Sequence, residues 1–170
     1  LIRAEEKAVK EEPEKARIKF QKAALFERKK EYDRAESLFK ELLRDNPSNA
    51  MVLNYLGYML ADRGVRLEEA MRYIQQALEI EPRNGAYLDS LGWVYFKLND
   101  LPNAEKYLLE ADSIVKNDPT IVDHLGDLYY RMGDFKKAES YWLRSIDIGT
   151  DPDETRKVRK KLEALQDKLR

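Results

Sequence analysis

Apolar residues recur along this chain at helical intervals. Leu53, Leu56 and Leu60 fall at i, i+3 and i+7, as do Leu88, Leu91 and Tyr95, and again Val122, Leu125 and Tyr129. This spacing lines one face of an α-helix. A second stripe follows each short break, with Ala35, Leu38, Phe39 and Leu42 in one place and Ala70, Tyr73, Ile74 and Ala77 in another. The breaks carry turn chemistry: Gly64, Asn99-Asp100 and Gly133-Asp134 within pairs of stripes, and Asp45-Asn46-Pro47 or Glu81-Pro82 between pairs. The pattern predicts an all-α chain of helical hairpins.

The hairpins share one period. Leu56-Gly57, Leu91-Gly92 and Leu125-Gly126 recur at 35 and 34 residues, Ala35, Ala70, Ala104 and Ala138 at 35, 34 and 34, and Pro13, Pro47 and Pro82 at 34 and 35. Three residue types in one register mark a repeat array. Gly57, Gly92 and Gly126 fall inside predicted helices, where each costs about 0.5–1 kcal/mol relative to Ala. Close packing against a small Ala of the paired helix is the expected offset.

The two ends depart from the repeat. Pro13 lies one period before Pro47, which places residues 1–12 as the second helix of a truncated preceding repeat, with Ala8 in the small-residue position, and implies a natural protein that extends further. At the other end, Asp151-Pro152-Asp153-Glu154 is a helix start. The helix that follows carries Val158, Leu162, Leu165 and Leu169 on a narrow stripe. It reads as a solvating cap on the last repeat. The alternative is a helix that pairs with another chain through that seam.

Composition narrows the functional classes. The 31 Lys and Arg balance 32 Asp and Glu, so the basic surplus typical of nucleic-acid binders is missing. With no cysteine there is no disulfide, thiolate metal site or Cys nucleophile, and the composition suits cytosol and periplasm alike. No apolar run approaches the roughly 20 residues of a membrane span. Charge is unevenly placed: residues 48–128 hold 7 basic and 13 acidic side chains, residues 1–31 hold 10 and 7, and residues 153–170 hold 7 and 4. The middle is acidic and the ends are basic.

These residues resemble the tetratricopeptide repeat family, of the bacterial type, whose 34-residue unit shows a large apolar residue, Leu-Gly, an aromatic, Ala, an aromatic and a closing Pro. The second repeat matches through Leu53, Leu56-Gly57, Leu60, Ala70, Ile74, Ala77 and Pro82. The third matches through Leu88, Leu91-Gly92, Tyr95, Ala104, Leu108 and Ala111, and the fourth through Val122, Leu125-Gly126, Tyr129, Ala138 and Trp142. The first has Ala23 in the Gly place and Lys22 where the family has Leu. One extra residue stands between Gly64 and Ala70, and Lys116 and Thr150 replace the closing Pro. The resemblance implies a right-handed superhelical solenoid with repeats at 16–47, 50–82, 85–118 and 119–151, a half repeat at 1–12 and a capping helix at 152–170.

In this family ligands bind the concave face lined by the first helices. Its positions here are Phe20, Ala24 and Glu27; Asn54, Tyr58 and Ala61; Asp89, Trp93 and Phe96; and Asp123, Asp127 and Tyr130. The resemblance therefore implies a protein or peptide partner held by Asn54, Tyr58, Asp89, Trp93, Phe96, Asp123, Asp127 and Tyr130. The acids call for a partner with basic and apolar side chains, and Trp93 is the leading anchor. The alternative for Tyr58 and Trp93 is burial between repeats, and for the Asp residues a solvated surface. The family's carboxylate clamp would need Lys, Asn or Arg where this chain has Phe20, Ala24, Tyr55, Ala86 and Ser90, so acidic chaperone tails are not expected. A second functional class is a structural module that oligomerises through repeat ends or the C-terminal helix. A third is a recruitment domain of a larger envelope, secretion or enzyme assembly.

Catalysis is not expected. His124 is the single histidine, and no nucleophile elbow accompanies it. Asp123 and Asp127 form an i, i+4 pair too sparse for a hard-metal site, and no Gly-rich phosphate loop occurs. No cofactor or metal is implied.

Overall fold

The computed structural model describes the backbone of residues 2–170 and side chains from residue 13 onward. Every element among the described residues is helical: α1 Ile2–Arg28, α2 Tyr32–Asp45, α3 Ala50–Asp62, α4 Leu67–Ile80, α5 Gly85–Lys97, α6 Leu101–Ile114, α7 Pro119–Met132, α8 Phe135–Ile148 and α9 Pro152–Leu169. Successive helices pair as α1–α2, α3–α4, α5–α6 and α7–α8. Each hairpin stacks on the one before it, and α9 packs along α8. The result is an all-α repeat solenoid.

Polar caps set most helix starts. Asn49, Asn84, Asp100, Asp118, Asp134 and Asp151 each accept backbone N–H groups of the first turn that follows, relieving donors that lack a helical partner. The extra residue of the second repeat is absorbed by two left-handed residues, Gly64 (φ 67°) and Arg66 (φ 48°), where the equivalent turns use one, such as Asn99 (φ 62°) or Gly133 (φ 81°). A non-glycine in that region carries strain. Arg66 is held there by a two-pronged bond to Glu36 of α2.

The mid-helix glycines are packing residues, but a large side chain rather than an Ala fills the space they leave. A Cβ on Gly57 would lie 2.6 Å from Ile74 Cγ1 and 2.8 Å from the Ala70 carbonyl, and one on Gly92 would lie 2.7 Å from Leu108 Cγ. Trp142 does the same against Gly126. Each missing side chain admits a large residue of the paired helix, so buried contact area replaces helix propensity.

One expectation about the ends is corrected. The break expected at Pro13 is absent, because α1 runs through it. Proline removes one amide and crowds the preceding turn, and here the helix continues past it. The packing position assigned to Ala8 lies outside the described side chains. At the C-terminus, Val158, Leu162 and Leu165 are buried in the main core cluster while Leu169 is 58% exposed. The stripe that could have formed an intermolecular seam is spent on the chain's own last repeat.

Candidate functional site

The concave positions divide into three neighbouring settings. In the second repeat, Asn54 and Tyr58 are half-buried on α3, and the Asn54 Oδ1 is buried without a hydrogen-bond partner. Burial drives the Tyr58 hydroxyl pKa far above its ordinary value, and the charges of Asp62, Asp89, Asp123 and Glu27 push it the same way. Burial also raises the Glu27 pKa, with the Asp62 charge adding to it.

In the third repeat the expected groove residues are interior. Asp89, Trp93 and Phe96 are buried on α5. Trp93 stacks between Phe96, with ring centres 4.6 Å apart, and His124, 4.0 Å apart. Its Nε1 donates to Asp62 at 3.3 Å. The Arg131 guanidinium covers the far side of Phe96 at 3.9 Å. The His124 Nδ1–H donates to Asp89 at 2.8 Å. Burial alone lowers the imidazole pKa, but Asp89, supported by Asp123 and Asp127, outweighs it and holds His124 above its ordinary value. Trp93 is thus a brace between adjacent repeats, and a Trp93 side chain offered to a partner is not what this packing presents. The sandwiched His124 is likewise out of reach of a solvent-borne substrate, which leaves it a structural ion-pair member.

In the fourth repeat the face is already occupied. Lys161 of α9 places its Nζ 2.8–2.9 Å from both oxygens of Asp123 and 2.8 Å from both oxygens of Asp127. Burial opposes the lysine charge, but the two carboxylates overcome it and its pKa is raised. Asp123 remains above the usual carboxylate range because of burial and the Asp127 charge. Asp127 also accepts the Trp142 Nε1–H at 3.2 Å. Tyr130 stays 38% exposed, with Lys168 of α9 over its ring at 5.3 Å. The Asp residues expected to meet a partner are met instead by the capping helix.

Residues outside the expected site list also take part, Glu27, Asp62, His124 and Lys161 among them. His124 and Asp89 lie 35 residues apart, as do Lys97, which donates to the Asp62 carbonyl, and Asp62 itself. That is the repeat period, so a search for opposite charges one period apart would find such pairs. Lys161 lies outside the repeat register, and its only sequence signal is the basic excess of residues 153–170 against the acidic middle. The clamp positions offer no anion site: Tyr55 packs on Phe20 and Phe39, and the Ser90 hydroxyl donates to the Ala86 carbonyl. Among the described residues no helix is long and apolar enough to cross a membrane.

Comparison with known proteins agrees on the repeat class. Tetratricopeptide repeat models match residues 2–50, 21–85 and 66–120, and a second such model matches 121–148. The chain is 34% identical over 100 residues to the TPR repeat-containing protein PA4667 of Pseudomonas aeruginosa, an alignment covering 59% of this chain and 17% of that protein. The chain therefore spans under a fifth of the length of that relative. Among solved structures it resembles PilW, a type IV pilus biogenesis factor, with a TM-score of 0.72 at 22% identity over 95% of this chain and 78% of that one. It resembles yeast Tom70 with a TM-score of 0.71 at 21% identity over 96% and 35%, and MamA with 0.60 at 21% identity over 86% and 95%. Matches over more than half its residues establish that this chain belongs to the tetratricopeptide repeat family.

Proposed function

We propose that the chain is a non-catalytic protein-interaction scaffold whose concave face holds a basic and apolar segment of a partner protein. The observation that carries this reading is the seat of Lys161. A lysine of an amphipathic helix bridges two first-helix carboxylates while Val158, Leu162 and Leu165 of the same helix are buried beside it. This face thus accommodates one basic, apolar helix within the molecule.

The part left for a partner is the stretch of Ala24, Glu27, Asn54, Tyr58 and Asp62. A cationic side chain placed between Glu27 and Asp62 would relieve their mutual repulsion and form charge-assisted bonds. The partner contacts expected at Asp89, Trp93 and Phe96 become support for that floor, and Asp123 and Asp127 serve the capping helix. Binding of fluorescent Lys- and Leu-rich peptides to the chain and to a Glu27→Gln, Asp62→Asn double variant tests the proposal. Loss of two charge-assisted contacts should weaken binding about tenfold or more. Equal affinity for both proteins would refute the assignment of this face.

A further inference from the structure

The second helices carry a strap at one repeat junction and an open groove at another. Between the third and fourth repeats, Arg144 of α8 makes a two-pronged bond to Asp112 of α6, at 2.9 and 2.8 Å. The common register places Leu43 of α2 where Asp112 stands and Gln76 of α4 where Arg144 stands. The first junction therefore has no such strap, and a groove of about 420 Å³ lies there instead. Leu43, Leu53 and Tyr73 line it. Leu53 belongs to a small apolar cluster with Ala50, Ala77 and Tyr87, and Leu43 and Tyr73 pack against that cluster. The groove is thus an uncovered side of a piece of the core.

Charge narrows what fits it. Lys40 and Arg44, one turn apart on α2, stand on one side and Gln76 of α4 on the other. Lys40 is paired with Glu36 at 2.7 Å and its side chain is still 43% exposed. Arg44 is exposed and makes no ion pair among the described residues. At the second junction the positions of Lys40, Arg44 and Gln76 are held by Gln75, Glu79 and Glu110. A nucleic acid or an acidic membrane surface running along the second helices would leave two cations only to meet two carboxylates. The groove suits a short occupant, with a carboxylate for the rim and an apolar side chain for the floor.

We propose that this groove is a second docking site, which takes a short acidic and apolar segment of a partner protein. An Asp or Glu of that segment pairs with the Arg44 guanidinium, and a neighbouring Leu, Ile or Phe covers Leu43, Leu53 and Tyr73. Guanidinium–carboxylate bonds fix orientation, and the apolar anchor supplies the buried area that an exposed ion pair lacks. The site uses the second helices and the opposite charge from the concave stretch, so it is independent of what that stretch binds.

Anisotropy of a fluorescein-labelled peptide built of Glu, Asp, Leu and Phe, titrated with the intact chain, tests the proposal. The chain should bind it saturably, and Arg44→Glu, a change at an exposed position, should weaken binding roughly tenfold or more. A Leu43→Asp, Gln76→Arg variant, which installs the strap of the later junction, should weaken it similarly while keeping its helical circular dichroism. The Glu27→Gln, Asp62→Asn variant should bind this peptide as the wild type does. Absence of saturable binding by the chain would overturn the proposal, as would equal affinity for wild type and Arg44→Glu. Loss confined to the Glu27→Gln, Asp62→Asn variant would overturn it by moving the peptide to the concave face. Self-association in light scattering that Arg44→Glu abolishes would overturn it in favour of a second copy in the groove.

Discussion

The two ends of this solenoid solve the same problem differently. A repeat array has an apolar face at each end that must meet water, a cap or another repeat. At the C-terminal end α9 covers the last hairpin with Val158, Leu162 and Leu165 and bridges its two concave carboxylates with Lys161. At the N-terminal end two apolar residues of α1, Ile18 and Leu25, stay half in solvent. One end is closed by a dedicated helix whose charge opposes the face it covers. The other presents a basic, partly apolar edge, so coverage is a property of each end and not of the repeat itself.

The largest test of this contrast places one carboxylate at each end. Leu165→Asp buries a charge and should cost about 3 kcal/mol or more, whereas Leu25→Asp should stay within about 0.5 kcal/mol. Urea unfolding of the two variants decides it, and similar losses would mean the ends do not differ. Next in size is Lys161→Met, which leaves Asp123 and Asp127 facing each other half-buried. Its expected cost is about 2 kcal/mol, below that of breaking a fully buried pair because solvent reaches the site. Adding Asp123→Asn and Asp127→Asn should recover most of the loss in the same unfolding assay.

A pH dependence should belong to the C-terminal half, since only there does the inter-repeat position hold a histidine, His124, where Tyr55 and Ser90 stand in earlier repeats. The folded pKa of His124 is raised. Its contribution is therefore complete below the unfolded imidazole pKa and lost as pH rises through the folded value. Urea midpoints should fall across that window in the wild type, and the step should vanish in His124→Phe. The smallest effect concerns the Glu36 ion pair with Arg66. Its carboxyl is held down at about 2 by the Arg66 hydrogen bonds, against the opposing effect of burial and with help from Lys40. That stabilisation is present above the ordinary glutamate pKa and disappears as pH falls through about 2. Because Arg66 is 43% exposed, Glu36→Gln should cost about 1 kcal/mol or less at neutral pH, a difference that acid titration of stability would remove.

Most of the architecture could be read from the chain because helical spacing and repeat period are both local signals. Leu56-Gly57, Ala70 and Pro82 specify a hairpin without reference to any distant residue. The site was less legible. Asp89, Trp93 and Phe96 satisfy the spacing of a concave face, yet the residues that bury Trp93 come from both sides of it: Asp62 below and His124 above. Burial there depends on how far one hairpin rotates over the next, which single-helix periodicity does not encode. Lys161 shows the same limit from outside the repeat, since its seat depends on where α9 crosses α7. The Pro13 break failed for a simpler reason. A proline in register marks a place where a helix can end, and whether it ends there depends on what the following turns pack against.

On the proposed reading, the open concave stretch around Tyr58 receives a basic, apolar segment. Amide chemical-shift mapping of the intact chain, titrated with a Lys- and Leu-rich peptide that it binds, tests this most directly. Perturbations should concentrate at Ala24, Glu27, Asn54, Tyr58, Ala61 and Asp62 and leave α4 and α6 unchanged. Perturbations confined to the second helices, with Glu27, Tyr58 and Asp62 silent at saturation, would contradict it.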